Sequence, residues 1–279
     1  MIPFNFSYLR PDALEEAAYA YQAFARAGKV ALYYAGGSEI ISMCRVGAIR
    51  PDAVIDVKGI PELSALSVDG GGLTLGGALT LNQIRESRLF PLMGLACGRI
   101  ADHTNQCRIT LGGNLCGTII YRETSLPLLL SDAEVMAFGP EGARALPFRS
   151  VFDGRMRLAP GELLTQVRVP GWALSARHWH IKKTAQEKVD YPLVNVTALI
   201  ADGALRCAFS GLSDAPLRSA GVEAILNDRS VPIGDRAARA VAALAECAVG
   251  SVEASKEFRL FVTRNTLLTL LEGWAYGSI

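Results

Sequence analysis

The sequence predicts an α+β protein in two parts, an α/β part followed by an α+β part, and three observations carry that expectation. Up to Pro170, short β-type runs alternate with turn signals and short helical patterns. Beyond it, "HWHIKK" and "LVNVTALIADGALRCAFSGL" read as an antiparallel set. Two helical patterns then close the chain. The boundary falls near residues 171 to 177. A length of 279 residues, at roughly 150 per domain, agrees with more than one unit.

Taken in order, "KVALYYA" and "DAVIDV" are buried strands, brief, β-branched or aromatic, and bounded by Gly, Pro and Asp. "SVDGGGLTLGGAL" is a glycine-punctuated pair of short strands, and Thr80 caps the helix of "TLNQIRES". "PLMGLACGRIADH" has helical spacing and leads into "ITLGGNL". "SLPLLLSDAEVMAFG" is a helix running into a strand, and "ELLTQVRVP" is a strand stopped by Pro170. In the second part "ADG" makes a hairpin turn. "DRAARAVAALAECA" begins on a capping Asp235, and the last helix places Phe258, Phe261, Val262, Leu268 and Leu271 on one face.

Half the residues are hydrophobic and a fifth are charged, yet no apolar stretch is long enough to span a bilayer. We expect the excess apolar surface in subunit contacts. A net charge of +1 with no basic run argues against nucleic acid or a membrane surface as partner. The N-terminus lacks a secretory pattern, so a cytoplasmic location is expected. Six cysteines, Cys44, Cys97, Cys107, Cys116, Cys207 and Cys247, show no spacing that would gather a metal or an iron–sulfur cluster. Most are expected to be buried thiols, with packing the better account of Cys107 and Cys116.

Chemistry enters with two glycine pairs. In "YYAGGSEII" a Gly-Gly pair between strand and helix lets successive N–H groups point to one side, a concavity that fits an oxyanion. By itself that pair is more often an ordinary tight turn. The second pair, Gly112-Gly113 in "TLGGN", has the same make-up, with Thr110 and Asn114 beside it. Two converging nests suit a pyrophosphate, which then needs no Lys or Arg. There is no GxGxxG opening a Rossmann unit and no P-loop, so the remaining common carrier of a pyrophosphate is FAD.

Seven stretches, "YYAGGSEII", "IRPDAVIDVKGIPEL", "LTLGGALTLNQI", "ITLGGN", "PGELLTQVRVP", "KVDYPLVNVTALI" and "GLSDAPLRSAGVEAIL", resemble in that order the FAD-binding medium subunit of the molybdenum hydroxylases. This is the family of xanthine dehydrogenases and carbon monoxide dehydrogenase flavoproteins. The resemblance runs from about residue 3 to about 275. It implies a vanillyl-alcohol-oxidase-like (PCMH-type) FAD-binding domain over residues 1–172, made of two α/β subdomains at about 1–57 and 58–172. A C-terminal α+β domain of the carbon monoxide dehydrogenase flavoprotein type would occupy 173–279.

Carried over by position, the resemblance assigns the FAD diphosphate to two loops. The first comprises Tyr33, Tyr34, Ala35, Gly36, Gly37, Ser38, Glu39 and Ile40. The second contains Thr110, Gly112, Gly113 and Asn114. A family Asp that bonds the cofactor's ribose part aligns with Glu123, in a stretch, "YRETS", that departs from the family's Ser-Pro-x-Ser-Asp pattern. Ile100 and Leu164 fall at apolar flavin-facing positions, and Lys182 at a lysine near the isoalloxazine. A cation at the flavin's N1–C2=O edge stabilises the anionic reduced form and raises its potential. Without the resemblance, a solvated strand residue describes Lys182 as well.

His178 and His180, two apart on a strand, share a face, but no third metal ligand is evident. We expect them at the surface or an interface, and we expect no metal in this chain. Tyr191 is expected to cover the domain interface rather than a flavin, and Asp190 to orient neighbouring backbone. "LSDAPLRS" is expected to be structural. No Ser-His-Asp order or supported carboxylate pair stands out, so no catalytic residue is assigned.

The resemblance implies an oxidoreductase subunit that takes electrons from a small subunit carrying [2Fe–2S] clusters and passes them through FAD to NAD⁺ or another acceptor. A large subunit would hold the molybdenum cofactor, the whole forming a dimer of heterotrimers. The altered segment after Asn114 motivates an alternative: a scaffold subunit that keeps the fold without a redox-active flavin.

Overall fold

The computed structural model describes residues 2–186 and 189–276. Its first layer is a three-stranded parallel sheet built from β1 (Ser7–Leu9), α1 (Leu14–Arg26), β2 (Ala31–Tyr34), α2 (Ser38–Arg45) and β3 (Ala53–Asp56), with strand order β1-β3-β2. Every residue of β3 is buried, Ala53, Val54 and Ile55 forming the apolar run expected of a central parallel strand and Asp56 closing it as a buried carboxylate. Ala17, Ala53, Ile55 and Ile60 form its core, and Leu163 enters that core from the neighbouring layer.

The second layer is a five-stranded antiparallel sheet. It begins with the hairpin β4 (Leu66–Asp69) and β5 (Gly72–Gly76) and continues through α3 (Leu81–Ser87), α4 (Pro91–Cys97), α5 (His103–Gln106), α6 (Leu111–Cys116) and α7 (Ser125–Leu130). It ends with β6 (Glu134–Gly139), β7 (Gly142–Pro147), α8 (Phe148–Val151), β8 (Leu163–Pro170) and α9 (Gly171–Leu174). The strand order is β4-β5-β8-β6-β7. Thr80 caps α3, as its sequence predicts, in a full capping box with Gln83. Leu92, Met93, Leu111, Leu126 and Val167 lie in one core that also takes in Leu199 and Ala208 from the last layer.

That layer is an antiparallel sheet of β9 (His178–Thr184), β10 (Pro192–Ala201), β11 (Ala204–Ser210) and β12 (Leu217–Arg218), ordered β12-β11-β10-β9. Asp202 and Gly203, both at positive φ, form the two-residue turn between Ala201 and Ala204 read from "ADG". The helices α10 (Ala220–Asn227), α11 (Ile233–Leu244) and α12 (Lys256–Tyr276) follow. Their core with the sheet contains Val194, Val196, Phe209, Leu226, Ala240 and Leu267. Among the described residues no helix is long and apolar enough to cross a membrane.

Two expectations for these helices are corrected. Asp235 is not the cap of α11; the helix starts two residues earlier, at Ile233 after Pro232, which leaves Asp235 in its first turn. The buried face of α12 is not that of Phe258 and Phe261, which are exposed and stacked on each other with centroids 6.4 Å apart. Arg259, Thr263, Leu267, Leu270 and Leu271 face inward instead. The reason is Arg259, whose Nη1 donates to the carbonyls of Leu193 at 2.7 Å and Gly211 at 2.6 Å and so fixes the rotation of the helix.

Candidate functional site

The first glycine bend follows directly from β2. Tyr33 is packed away from it, stacked on Tyr21 with centroids 5.2 Å apart and donating from its hydroxyl to the Gly161 carbonyl at 2.9 Å. Burial pushes its phenol up. Tyr34 lies over Gly37, where an added Cβ would come within 2.2 Å of the ring. Lys58 sits 4.5 Å from that ring's centroid and donates from Nζ to the Ala35 carbonyl at 3.1 Å. Gly37, in the left-handed region with φ of 71°, is the N-cap of α2. The first helical bond reaches Gly37 O from Ile41 N at 2.8 Å, so the N–H groups of Ser38, Glu39 and Ile40 lie outside the helical ladder.

The second pair is not a free turn. Gly112 and Gly113 form the opening turn of α6, capped by Thr110, whose Oγ1 accepts from Gly113 N at 3.2 Å. Gly112 is glycine because of close approach: its N–H donates to Gly77 O at 2.8 Å, and an added Cβ would meet that oxygen at 2.9 Å. Gly113 is exposed, and a Cβ there would touch only Thr110 Oγ1. A group can therefore approach the surface at Gly113, although its N–H is already given to Thr110.

The two bends meet. A Cβ on Gly36 would sit 1.8 Å from the carbonyl oxygen of Arg108 and 3.4 Å from Thr110 Cγ2, so only glycine permits this contact. Glu39 ties the same regions together, its Oε1 accepting from Thr118 N at 2.7 Å and Thr118 Oγ1 at 2.8 Å. From the other side Arg122 donates to the carbonyls of Gly117 at 2.6 Å and Gly154 at 3.0 Å. Asn114 accepts at Oδ1 from the Thr124 hydroxyl at 2.6 Å. Glu39 and Asn114, assigned above to the cofactor, thus use side-chain oxygens to brace the segment between α6 and α7.

Glu123 and Lys182 are brought together rather than held apart. Lys182 Nζ donates to Glu123 Oε1 at 2.8 Å and to Arg99 O at 2.7 Å, and both side chains are buried. Asn195 Nδ2 donates to the other carboxylate oxygen at 2.8 Å. Burial pushes the Glu123 carboxyl up, against the opposing pull of Lys182 and Asn195. The solvated alternative for Lys182 is thereby overturned. Ile100 is half-buried one residue beyond Arg99, and Leu164 is fully buried in β8, its side chain against Gly77.

Of the other candidates, His178 Nδ1 pairs with Ala176 O at 2.8 Å and His180 Nδ1 with Thr197 Oγ1 at 3.0 Å. Among the described residues no group of three or more His, Cys, Asp or Glu is placed to hold a metal ion. Tyr191 stacks on Tyr121 at 4.7 Å, and Asp190 accepts from the Tyr191 N–H at 2.7 Å. In "LSDAPLRS", Arg218 pairs with Glu223 at 2.7 Å and reaches Leu129 O at 2.6 Å. The cysteine expectation is corrected: Cys44, Cys97 and Cys207 are buried, but Cys107, Cys116 and Cys247 are exposed. Cys107 closes the short exposed α5, and Cys116 ends α6 where the chain turns outward.

Sequence reasoning missed Arg122, Asn195 and Thr197. A signal existed for the last two, since polar residues two apart inside the apolar run "LVNVTALI" must find partners when buried. The residues present suit a dinucleotide's diphosphate: a left-handed glycine with helix-start N–H groups stands against a second bend with an exposed glycine.

Similarity to known proteins gives the class, an FAD-binding oxidoreductase domain. Residues 4–172 match the family described as the FAD binding domain in molybdopterin dehydrogenase. The carbon monoxide dehydrogenase medium chain of Hydrogenophaga pseudoflava is 25% identical over 271 residues, 93% of this chain and 91% of that one. The glyceraldehyde dehydrogenase medium chain of Sulfolobus acidocaldarius is 28% identical over 236 residues, 80% of this chain and 81% of the other. A solved structure of the Hydrogenophaga carbon monoxide dehydrogenase, in a form lacking the Mo-pyranopterin moiety, covers 99% of both chains with a TM-score of 0.86 at 22% identity, which shows the fold. The chain belongs to the molybdopterin-dehydrogenase FAD-binding family, as a medium-type, FAD-dependent oxidoreductase subunit.

Proposed function

We propose that this chain is the electron-transfer subunit of a molybdenum-containing hydroxylase or dehydrogenase, receiving electrons from a [2Fe–2S] subunit and passing them to NAD⁺ or another acceptor. When bound, FAD supplies the capacity to accept electrons singly and release them as a pair. The observation that carries the reading is the contact of Gly36 with Arg108 and Thr110, which sets the two glycine bends side by side. In this reading the N–H groups at the first bend, residues 36–40, hold the diphosphate, and the exposed Gly113 of the second bend admits it, the N–H groups of residues 112–114 being already bonded to Gly77 O, Thr110 Oγ1 and Thr110 O. Ile100 and Leu164 line the flavin, and the Lys182–Glu123 pair lies at its edge.

The cofactor domain would end at residue 172, and the sheet of β9 to β12 with its helices would form the second domain. The large molybdenum subunit and the small iron–sulfur subunit would complete a dimer of heterotrimers, and the assembly would work in the cytoplasm. Organic-substrate chemistry would belong to the large subunit.

The test is purification of the complete chain, ferricyanide oxidation and a visible spectrum. A flavin spectrum, together with molybdenum and iron in material co-purified with untagged partners, is the expected result. A colourless chain that also refuses added FAD would overturn the reading and leave the scaffold alternative.

A further inference from the structure

Across β9 and β10 the register sets Asn195 opposite Lys182 and Thr197 opposite His180. These four side chains and Glu123 form one hydrogen-bonded line whose direction follows from donor and acceptor counting. Both carboxylate oxygens of Glu123 are used, one by Lys182 and one by Asn195 Nδ2. The Asn195 carbonyl oxygen therefore faces away from Glu123, where it accepts from the Thr197 hydroxyl at 3.3 Å. That hydroxyl has one proton and spends it there, so toward His180 Nδ1, 3.0 Å away, it is an acceptor. His180 must carry its proton on Nδ1. Burial first, and then Lys182, push the imidazole down to about 3, so it stays neutral in the interior.

This line has one consequence at each end. The imidazole fixes the Thr197 hydroxyl, the hydroxyl fixes the Asn195 amide, and the amide, together with Lys182, presents a donor to a carboxylate that burial pushes up. With Asn195 in place, Glu123 stays an acceptor for Lys182 and compensates its charge. Without it, the carboxylate loses one of the groups that oppose desolvation, after the stronger pull of Lys182, so it is pushed further up and compensates the ammonium less fully.

We propose that Asn195 is a positioning residue that sets the charge presented by Lys182 to the flavin, acting through Glu123, with Thr197 and His180 fixing the direction of its amide. The proposal rests on the reading above that Lys182 lies at the flavin's edge. The measurement is the midpoint potential of FAD bound to the complete chain at fixed pH, with thermal unfolding recorded in parallel. Asn195→Leu should raise the potential, because a less compensated Lys182 favours the negatively charged reduced flavin. Thr197→Val, close to isosteric and present in case the first variant does not fold, should raise it by less. Glu123→Gln should raise it too, and adding Asn195→Leu to that variant should produce no further shift. Lys182→Met should lower it, and this variant tests the reading. If Lys182→Met leaves the potential unmoved, the flavin does not sense the lysine and the reading fails together with the proposal. If Lys182→Met lowers the potential but Asn195→Leu and Thr197→Val change only the unfolding temperature, the reading stands and the positioning role is overturned.

Discussion

Glu39 and Thr118 lie 79 positions apart, yet one carboxylate oxygen of Glu39 accepts from both the backbone N–H and the hydroxyl of Thr118, at 2.7 and 2.8 Å. Its other oxygen reaches the Ile119 N–H at 3.4 Å. The first turn of α2 is thereby fastened to the segment that follows the second glycine pair, so the spacing of the two bends depends on a side chain as well as on the bends themselves.

Glu39→Ala should therefore loosen the clasp without unfolding the chain. Hydrogen bonds to a charged group contribute about 1.5–3 kcal/mol each when sheltered, and less at a half-exposed site, so a loss of about 1–2 kcal/mol is expected. Denaturant unfolding gives that number. Amide hydrogen exchange should quicken at Thr118 and Ile119 while the core of β3 is unchanged; uniform quickening would mean that Glu39 has no local role.

The glycines divide into those needed for folding and one needed for access. A Cβ on Gly36 collides with a backbone carbonyl at 1.8 Å, and one on Gly37 meets the Tyr34 ring at positive φ. Gly36→Ala should thus lower stability by more than about 2 kcal/mol and lose FAD as a by-product. Gly113→Val should behave differently, because its Cβ meets only the end of the Thr110 side chain. Stability should fall by about 0.5–2 kcal/mol, since the Cβ would sit 2.9 Å from the Thr110 Oγ1 that caps α6 and would disturb that cap, while FAD retention is lost. Equilibrium dialysis with FAD beside thermal unfolding separates the two, and a Gly113→Val chain that stays fully yellow would remove the diphosphate from that bend.

Local chemistry was the legible part of the sequence. The Thr80 cap, the Asp202-Gly203 turn and the buried run of β3 each specify their conformation within a few residues, and each is found as read; the capping-box partner Gln83 was not read. The glycine pairs were legible as places of close approach, but not what approaches them. Gly112 meets Gly77, and Gly36 meets Arg108, through topology that no local pattern encodes. Glu123 and Lys182 were read as separate groups because they lie 59 positions apart, and their pairing depends on how β9 docks against the segment after α6. Similarly, the rotation of α12 is set by the carbonyls that Arg259 finds, so the aromatic spacing of Phe258 and Phe261 pointed to the wrong face.

Because Lys182 and Glu123 are buried together, removing one partner should cost far more than removing both. Lys182→Met or Glu123→Leu alone leaves an uncompensated group, an expected loss of about 3–5 kcal/mol, whereas the double variant should recover most of it. A double-mutant cycle by urea unfolding measures the coupling. Additive losses would show that the two charges do not depend on each other for stability.

Acid sensitivity should be concentrated at Asp56, the last residue of β3, which accepts from the Tyr8 hydroxyl at 2.6 Å, from Lys58 Nζ at 2.7 Å and from Lys58 N at 3.1 Å. Burial works to raise its carboxyl, but the hydrogen bonds from Lys58 and Tyr8 outweigh it and hold the group below the usual carboxylate range. A carboxylate lowered on folding contributes stability that is complete above its unfolded pKa, about 3.9, and is lost as pH falls through the folded value. Asp56→Asn should accordingly be less stable than the parent at pH 7, with the gap closing on acidification below about pH 4. Part of the gap should also shrink with salt, since Lys58 is half-exposed, while the share owed to Tyr8 does not depend on a second charge. Urea midpoints of both chains across pH, at low and high ionic strength, test this. A gap that is independent of pH would place the acid-sensitive group elsewhere. Because Lys58 also donates to the Ala35 carbonyl, the same titration should loosen the first glycine bend, so FAD release on acidification should begin in the parent at a higher pH than global unfolding.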